Sequence, residues 1–360
     1  MKIVLDNRQV RKKLFPFTKT RHAADIRVGI LTIREKFLFS KKYEIFDSYE
    51  DLFAQYPDTT GHPVQLDANI VPDENWIDDF INEISIPGNG GYVLSDSPSL
   101  KLLNYPWDIA RHNDWALRQD FALITKGRNT QQIPESNKII NSTEIFIEAG
   151  AKVEHCILNA TDGPVYIGKN ATIMEGSLIR GPVAICEGAI VKMGTKIYGG
   201  TTVGPFCMVG GEIKNSVLFG YSNKAHDGYL GDSVLGEWCN LGAGTSNSNV
   251  KNTAGEVKYW SDAEQKQIGA GNKAGLLMGD YSKAAINTSF NTGSIVGVCC
   301  NVFVAGLTPT FIPDFSWGVD TATKYKLDKA LVDIDNWKRL KGQIISEREK
   351  QILTDIYKLL

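Results

Sequence analysis

Between Lys214 and Asn249 the chain gathers side chains that can do chemistry: Lys214, His226, Tyr229, Asn240 and Asn249, with the small run Gly242-Ala243-Gly244. A histidine titrates near neutrality, so His226 can take up or release a proton at a reacting atom. The Asn240 amide and nearby glycine N–H groups can stabilise an oxyanion. An ammonium and a phenol, here Lys214 and Tyr229, suit phosphate oxygens. Gly242 and Gly244 let a narrow ligand arm approach the backbone. Each type also has a plainer use: a lone loop histidine is often packed or solvated, and Asn249 can close a turn. A second concentration lies near the N-terminus, where Arg8, Arg11, Lys12, Lys13, Lys19, Arg21 and Arg27 surround FPFTKTRHAADIRVGI. Such a cluster can hold the phosphate of a nucleotide or sugar. A charge run is more commonly a solvated face paired to nearby acids.

The elements that must position residues 214–249 are visible just before them. Ile167, Ile173, Ile179, Ile185, Val191, Ile197, Val203 and Val209 stand six apart without a slip. Four residues after each of the first seven comes a small or compact side chain: Ala171, Ser177, Val183, Ala189, Thr195, Thr201 and Cys207. A period of six is neither that of a helix nor that of one long strand. It predicts a prism-shaped coil of short strands, three hexads to a turn. The coil begins loosely near Ile145, is regular from Ile167 and loses strict register near Lys214. Residues 250–272 break it with Lys, Glu, Asp and Gln and are expected to be an exposed loop. Spacing of six returns at Met278, Ala284, Phe290, Val296 and Val302. The run 308–318 is expected to cover the open end of the coil. Residues 324–360 carry helical spacing and should pack along the coil or a neighbouring chain.

Ahead of the coil, Lys2–Leu5 and Val64–Leu66 read as strands. A turn at Val71-Pro72-Asp73 precedes a helix over ENWIDDFINEI, with Asp73 or the residue before it as its cap. Residues 87–91, PGNGG, read as a turn. Helical spacing in 105–125 predicts the helix that joins the two parts, and its His112 reads as a packing or surface residue. Residues 126–143 read as a polar linker. The organisation expected is therefore an α+β domain over 1–104, a helical linker over 105–143, the coil over 144–322 and a C-terminal helical segment over 323–360.

Composition narrows the function classes. The chain has 360 residues, room for two domains, with 42% hydrophobic and 22% charged residues, as in globular proteins. A formal net charge of −2 gives no basic field for nucleic acid. No apolar run approaches the roughly 18 residues of a membrane span. The apolar start is too short for a signal peptide, so a cytoplasmic protein away from membranes is expected. The six cysteines, Cys156, Cys186, Cys207, Cys239, Cys299 and Cys300, show neither CxxC nor metal-ligand spacing. They are expected to be reduced and packed, with no metal site.

The hexads resemble those of the hexapeptide-repeat acyltransferases. That resemblance implies a left-handed parallel β-helix, usually three chains side by side, with acyl-CoA in the cleft between neighbouring coils. The N-terminal residues Leu14, Pro16, Phe17, Thr18, Thr20, Arg21, Ala24, Asp25, Arg27, Gly29, Ile30, Thr32, Arg34 and Glu35 resemble the start of a family in which a sugar nucleotidyltransferase is joined to such an acyltransferase. The stretch Lys214-Asn215, His226, Tyr229-Leu230-Gly231, Asn240-Leu241-Gly242-Ala243-Gly244-Thr245 and Asn249 resembles the acetyltransferase half of the bifunctional glucosamine-1-phosphate acetyltransferase/uridyltransferase family. This second resemblance implies His226 as general base, with Asn240 assisting at the acyl carbonyl. It implies Lys214, Tyr229 and Asn249 on a sugar phosphate, Gly242, Ala243 and Gly244 along acetyl-CoA, and a homotrimer. Arg21 and Arg27 become phosphate candidates through the first.

There are departures from both families. Nucleotidyltransferases carry a glycine-rich phosphate loop near the N-terminus. Here Gly29 is the only glycine before residue 61. The domain reads as a reduced nucleotidyltransferase-like one, with Mg2+ expected only if it is active. Asp227 stands where the acetyltransferase family has an apolar residue, and GPVAICEG (181–188) stands where an Arg-Pro-Gly is expected, with Arg180 near but out of line. The sequence reading is thus an acyl-CoA-dependent transferase acting on an amino-sugar phosphate or nucleotide sugar. A nucleotidyltransferase using the coil for assembly, and a non-catalytic trimeric scaffold, are the alternatives.

Overall fold

The computed structural model describes residues 2–39, 44–46, 64–84, 96–319 and 323–360. The turn expected at 87–91 lies outside them. From Lys138 onward the chain winds into a three-faced parallel β-helix. Nine strands stack on the first face, from Ile145–Ile147 to Phe311–Ile312. Eight stack on the second, from Lys152–Val153 to Asn301–Val302, and six on the third, from Lys138–Ile140 to Tyr229–Gly231. The hexad aliphatics form the interior: Ile167 lies between Ile147 and Ile185, and Val191 pairs with Ile173 and Val209. Each inward branched side chain stacks on its counterpart one turn away, so the repeat is a packing rule. The turn is eighteen residues while the hexads hold, as in Val165, Val183 and Thr201. It then shortens, with Thr202 pairing with Val217.

The coil starts earlier than the composition of 126–143 suggested. Lys138–Ile140 already pairs with Ile157–Asn159, because Ile139 packs against the interior while its neighbours face water. Residues 250–272 also depart from the expected exposed loop. Lys258–Ser261 and Lys266–Gly269 form an antiparallel hairpin. Val257 and Tyr259 are fully buried, and the Tyr259 hydroxyl donates to Gly275 O at 3.0 Å. Alternation explains both outcomes: the charged positions face solvent and the intervening apolar ones face the N-terminal domain. The run 308–318 supplies a further rung, Phe311–Ile312 pairing with Ile295–Val296.

In the N-terminal domain, Lys2–Asp6 pairs in parallel with Glu44–Phe46 and Val64–Asp67. The expected turn at 71–73 is partly strand, Ile70–Pro72, paired with Leu100–Leu102. Helices α1 (Ile33–Phe39), α2 (Glu74–Ile84) and α3 (Asp108–Thr125) complete the domain. Asp73 caps α2 as expected, accepting from Trp76 N at 2.8 Å. The domain sits on the first face. Phe17 packs among Val217, Phe219, Val234, Leu277 and Ile295, the outward residues of successive rungs. Asn113 of α3 donates to Gly200 O at 2.8 Å, and Thr202 donates to Gly29 O at 2.9 Å. His112 is half-buried on α3, 3.9 Å from Asp96.

Helices α4 (Leu327–Arg339) and α5 (Glu347–Lys358) pack along the coil. Ala330, Ile334, Leu353 and Ile356 meet Trp238, Tyr281, Val298 and Phe315 at the corner between the first and second faces. All six cysteines are free and buried.

Candidate functional site

His226 lies on the corner between the second and third faces. Asn223–Lys224 enters it and Tyr229–Gly231 leaves it. The side chain is exposed. The corner below closes on Gly210-Gly211, where a Cβ on Gly210 would stand 2.5 Å from Ala225 O and 3.2 Å from His226 N. The corner above is Gly242-Ala243-Gly244, and Gly244 N donates to Asp227 O at 3.1 Å. His226 and the glycine run are thus brought together on successive rungs. These glycines also have a packing reason of their own. A Cβ on Gly242 would stand 2.5 Å from Ile286 N, and Gly244 has φ +73°.

Beneath His226 lies a side chain the sequence reading passed over. Lys224 occupies an inward position in the column of Val209 and Leu241, and is buried. Its Nζ donates to Gly210 O at 3.1 Å, His226 O at 2.5 Å and Asp227 O at 3.4 Å. Burial pulls this ammonium down to about 8, against the opposing pull of the Asp227 carboxylate.

Around the third-face side of the same corner, Tyr229 and Asn249 meet. Asn249 Nδ2 donates to the Tyr229 hydroxyl at 3.1 Å and to Asp232 Oδ2 at 2.5 Å, while Asn215 Nδ2 donates to Asp232 Oδ1 at 2.6 Å. Asp232 therefore orients two amides, and through Asn249 the phenol. Burial, then Asp232, raises the pKa of Tyr229 and keeps the hydroxyl protonated. An open groove of about 320 Å3 runs from this corner across the third face, lined by Lys196, Glu212, Asp227, Gly228 and Tyr229 with Gly194 and Gly211. Lys196, Glu212 and Tyr229 form one column on successive rungs. Lys214 stands exposed at the next position, its Nζ 6.0 Å from the Tyr198 ring centroid. Lys196 and Asp232 were missed because a hexad pattern marks inward residues and is silent on which outward ones share a column.

Other expected site residues stand elsewhere. Asn240 lies on the second face, where its Oδ1 accepts from Asn223 at 3.3 Å. Arg21 is turned onto the coil, its guanidinium paired with buried Asp280 and lying 3.1 Å from Glu237. Arg27 donates to Ile30 O and lies 3.6 Å from Glu35. Both cations are drawn to internal acceptors, because a buried guanidinium is costly without them. The nearby amides are occupied too. Gly29 N donates to Asn113 at 2.7 Å, and Ile30 N and Leu31 N to Asp120 at 2.8 and 3.0 Å.

Fold and site together define a class: a parallel β-helix bearing a polar corner groove, with an N-terminal α/β region docked on one face. Residues 2–97 match the family described as sugar nucleotidyl transferase. The chain is 32% identical over 251 residues to the bifunctional protein GlmU of Methanocaldococcus jannaschii, covering 65% of this chain and 55% of that one. It is 27% identical over 259 residues to a bifunctional sugar-1-phosphate nucleotidylyltransferase/acetyltransferase of Sulfurisphaera tokodaii, covering 66% and 57%. It is 36% identical over 115 residues to the bifunctional protein GlmU of Rippkaea orientalis, covering 31% and 22%. These matches bear out the family resemblance read from the sequence. The chain spans about half the length of the first two of these relatives.

Proposed function

We propose that the protein is an acyl-CoA-dependent transferase that acylates the amine of an amino-sugar phosphate or nucleotide sugar, with His226 as general base. The observation that carries this reading is the groove lined by Asp227, Gly228, Tyr229 and Lys196 beside the corner that bears His226, with Asn249 and Asp232 orienting the phenol. In the reaction the acceptor nitrogen attacks the thioester carbonyl. His226 takes the amine proton, the C–S bond breaks and the thiolate leaves with a proton. Tyr229 and the Lys196 and Lys214 ammoniums suit phosphate oxygens, and the small corner Gly242–Gly244 suits a pantetheine arm lying beside His226. We further propose a homotrimer, in which the exposed Ile157, Leu178 and Tyr198 of the third face meet a neighbouring copy.

The test is acyl transfer from acetyl-CoA to a panel of amino sugars and their phosphates, read by product mass because six thiols would confuse thiol dyes. Product from the wild type, cut about a hundredfold or more in His226→Ala, is the expected outcome for loss of a general base. No product on any acceptor, with CoA failing to bind, overturns the proposal. The match over residues 2–97 favours a second reading, nucleotidyl transfer to a sugar 1-phosphate by the N-terminal domain. Pyrophosphate release from nucleoside triphosphates, with and without Mg2+, decides that one. The internal commitments of Arg21 and Arg27 weigh against it.

A further inference from the structure

Eight hexad positions along the interior, Ile167 to Val209, are closed with Ile or Val; Ile213 and Leu218 follow, and the next inward side chain is Lys224. Inside a parallel coil a lysine needs a reason, since an ammonium taken from water costs several kcal/mol unless its hydrogen bonds are met. Here they are met in full: an ammonium carries three donors, and Lys224 Nζ has three carbonyls, those of Gly210, His226 and Asp227. One acceptor lies on the corner below. The other two belong to the corner that carries His226, and the shortest of the three contacts is to the His226 carbonyl itself.

The rung geometry explains the need. Between Val209 and Lys224 the turn is shorter than in the regular stretch, yet it is followed by the corner 225–228, which must cross over the compact Gly210-Gly211 corner. Gly228 is at φ +121°, and a Cβ there would overlap Thr245 O. The Asp227 carbonyl also accepts from Gly244 N at 3.1 Å, whereas those of Gly210 and His226 are met by the Lys224 ammonium.

We infer that Lys224 is a positioning residue for the transfer reaction: from inside the coil it holds the corner that carries His226 and lends Asp227 and Gly228 to the groove. The inference rests on reading His226 as the base. The ammonium acts on the backbone at residues 226 and 227 and touches no substrate.

The test uses the full-length protein with Lys224→Met, which fills the Val209–Leu241 column and removes all three donors, and Lys224→Gln, which keeps two. Amide hydrogen exchange read by mass spectrometry needs no activity. The peptides over 225–229 and 242–246 should exchange about tenfold faster or more in Lys224→Met, with the other rungs unchanged, as local opening requires. In the acyl-transfer assay kcat should fall about tenfold or more with KM for both substrates within about twofold, and Lys224→Gln should lie between. Wild-type exchange at the corner, or an unchanged kcat in Lys224→Met, overturns the inference. Global unfolding of both variants overturns it as well, by assigning Lys224 to the whole coil. If His226→Ala keeps full activity, the base reading fails instead, and the exchange data still judge the role of Lys224.

Discussion

Replacing Arg21 by Met separates two roles for that side chain, a phosphate contact and a latch between domains. Its guanidinium is about nine-tenths buried and meets Asp280, itself buried, and Glu237 at 3.1 Å. Asp280 also accepts from Thr20 and, at 2.7 Å, from Glu237 N. Removing one partner of such a pair costs about 3–5 kcal/mol, because the other charge stays buried. The Glu237 N–H and the Thr20 hydroxyl, which still donate to Asp280, soften that loss, so about 3 kcal/mol is the working figure. Unfolding entropy is about 2.1 cal/mol/K per residue. If all 360 residues melt together, the midpoint falls by about 4 °C. If the part ending with α3 at Thr125 melts alone, the fall is about 11 °C. Scanning calorimetry of wild type, Arg21→Met, Asp280→Asn and the double variant gives both the shift and the coupling. A latch predicts strong coupling and unchanged KM for any phosphorylated substrate. A shift under about 1 °C, additive singles and a raised KM would refute the latch and restore the phosphate contact.

Two other predictions concern local chemistry. Gly228→Ala, whose Cβ would overlap Thr245 O at φ +121°, should unseat the rung, whereas Gly194→Ala, at φ +68° with nothing within 4 Å, should cost only about 1 kcal/mol, as urea melts of the two variants will show. His22, which caps residues 23–25 by accepting from Ala24 N at 3.1 Å, is pulled down to about 4, first by burial, with Asp25 opposing. A histidine whose folded value lies below its unfolded one binds fewer protons when folded. Stability should therefore fall by up to about 3 kcal/mol as pH drops from about 6.5 to about 4. His22→Asn keeps the capping acceptor and should flatten that part of the stability–pH curve.

Much of the fold was legible because a parallel coil writes its packing rule directly into the chain. Every inward position of 167–209 must match its counterpart one turn away, so the same branched residue recurs at a fixed interval. The hairpin of 258–269 obeys a shorter rule, the alternation of Val257, Tyr259 and Ser261 against Lys258, and six polar residues around it hid that signal. The early start at Lys138 was hidden in the same way. A first rung has a partner on one side only, so a single inward Ile139 suffices and no repeat has yet accumulated.

The site was legible as a set of residues more than as an arrangement. Spacing along a coil says which rung a residue occupies. Which face it looks from depends on the length of every turn before it. Along the first face that length is constant from Val165 to Thr201. The short turn from Thr202 to Val217 then shifts the frame, so Asn240 comes out on the second face beside Asn223 while His226 turns the corner. Lys224 was passed over for the same reason: its inward column is clear only once Val209 and Leu241 are seen on either side. Arg21 and Arg27 show a different limit of the sequence. A basic cluster shows that charge must be met, and it is silent on whether the partner is a ligand or a carboxylate elsewhere in the chain. Asp280, 259 residues further on, supplied that partner to Arg21 once the domain docked on the first face.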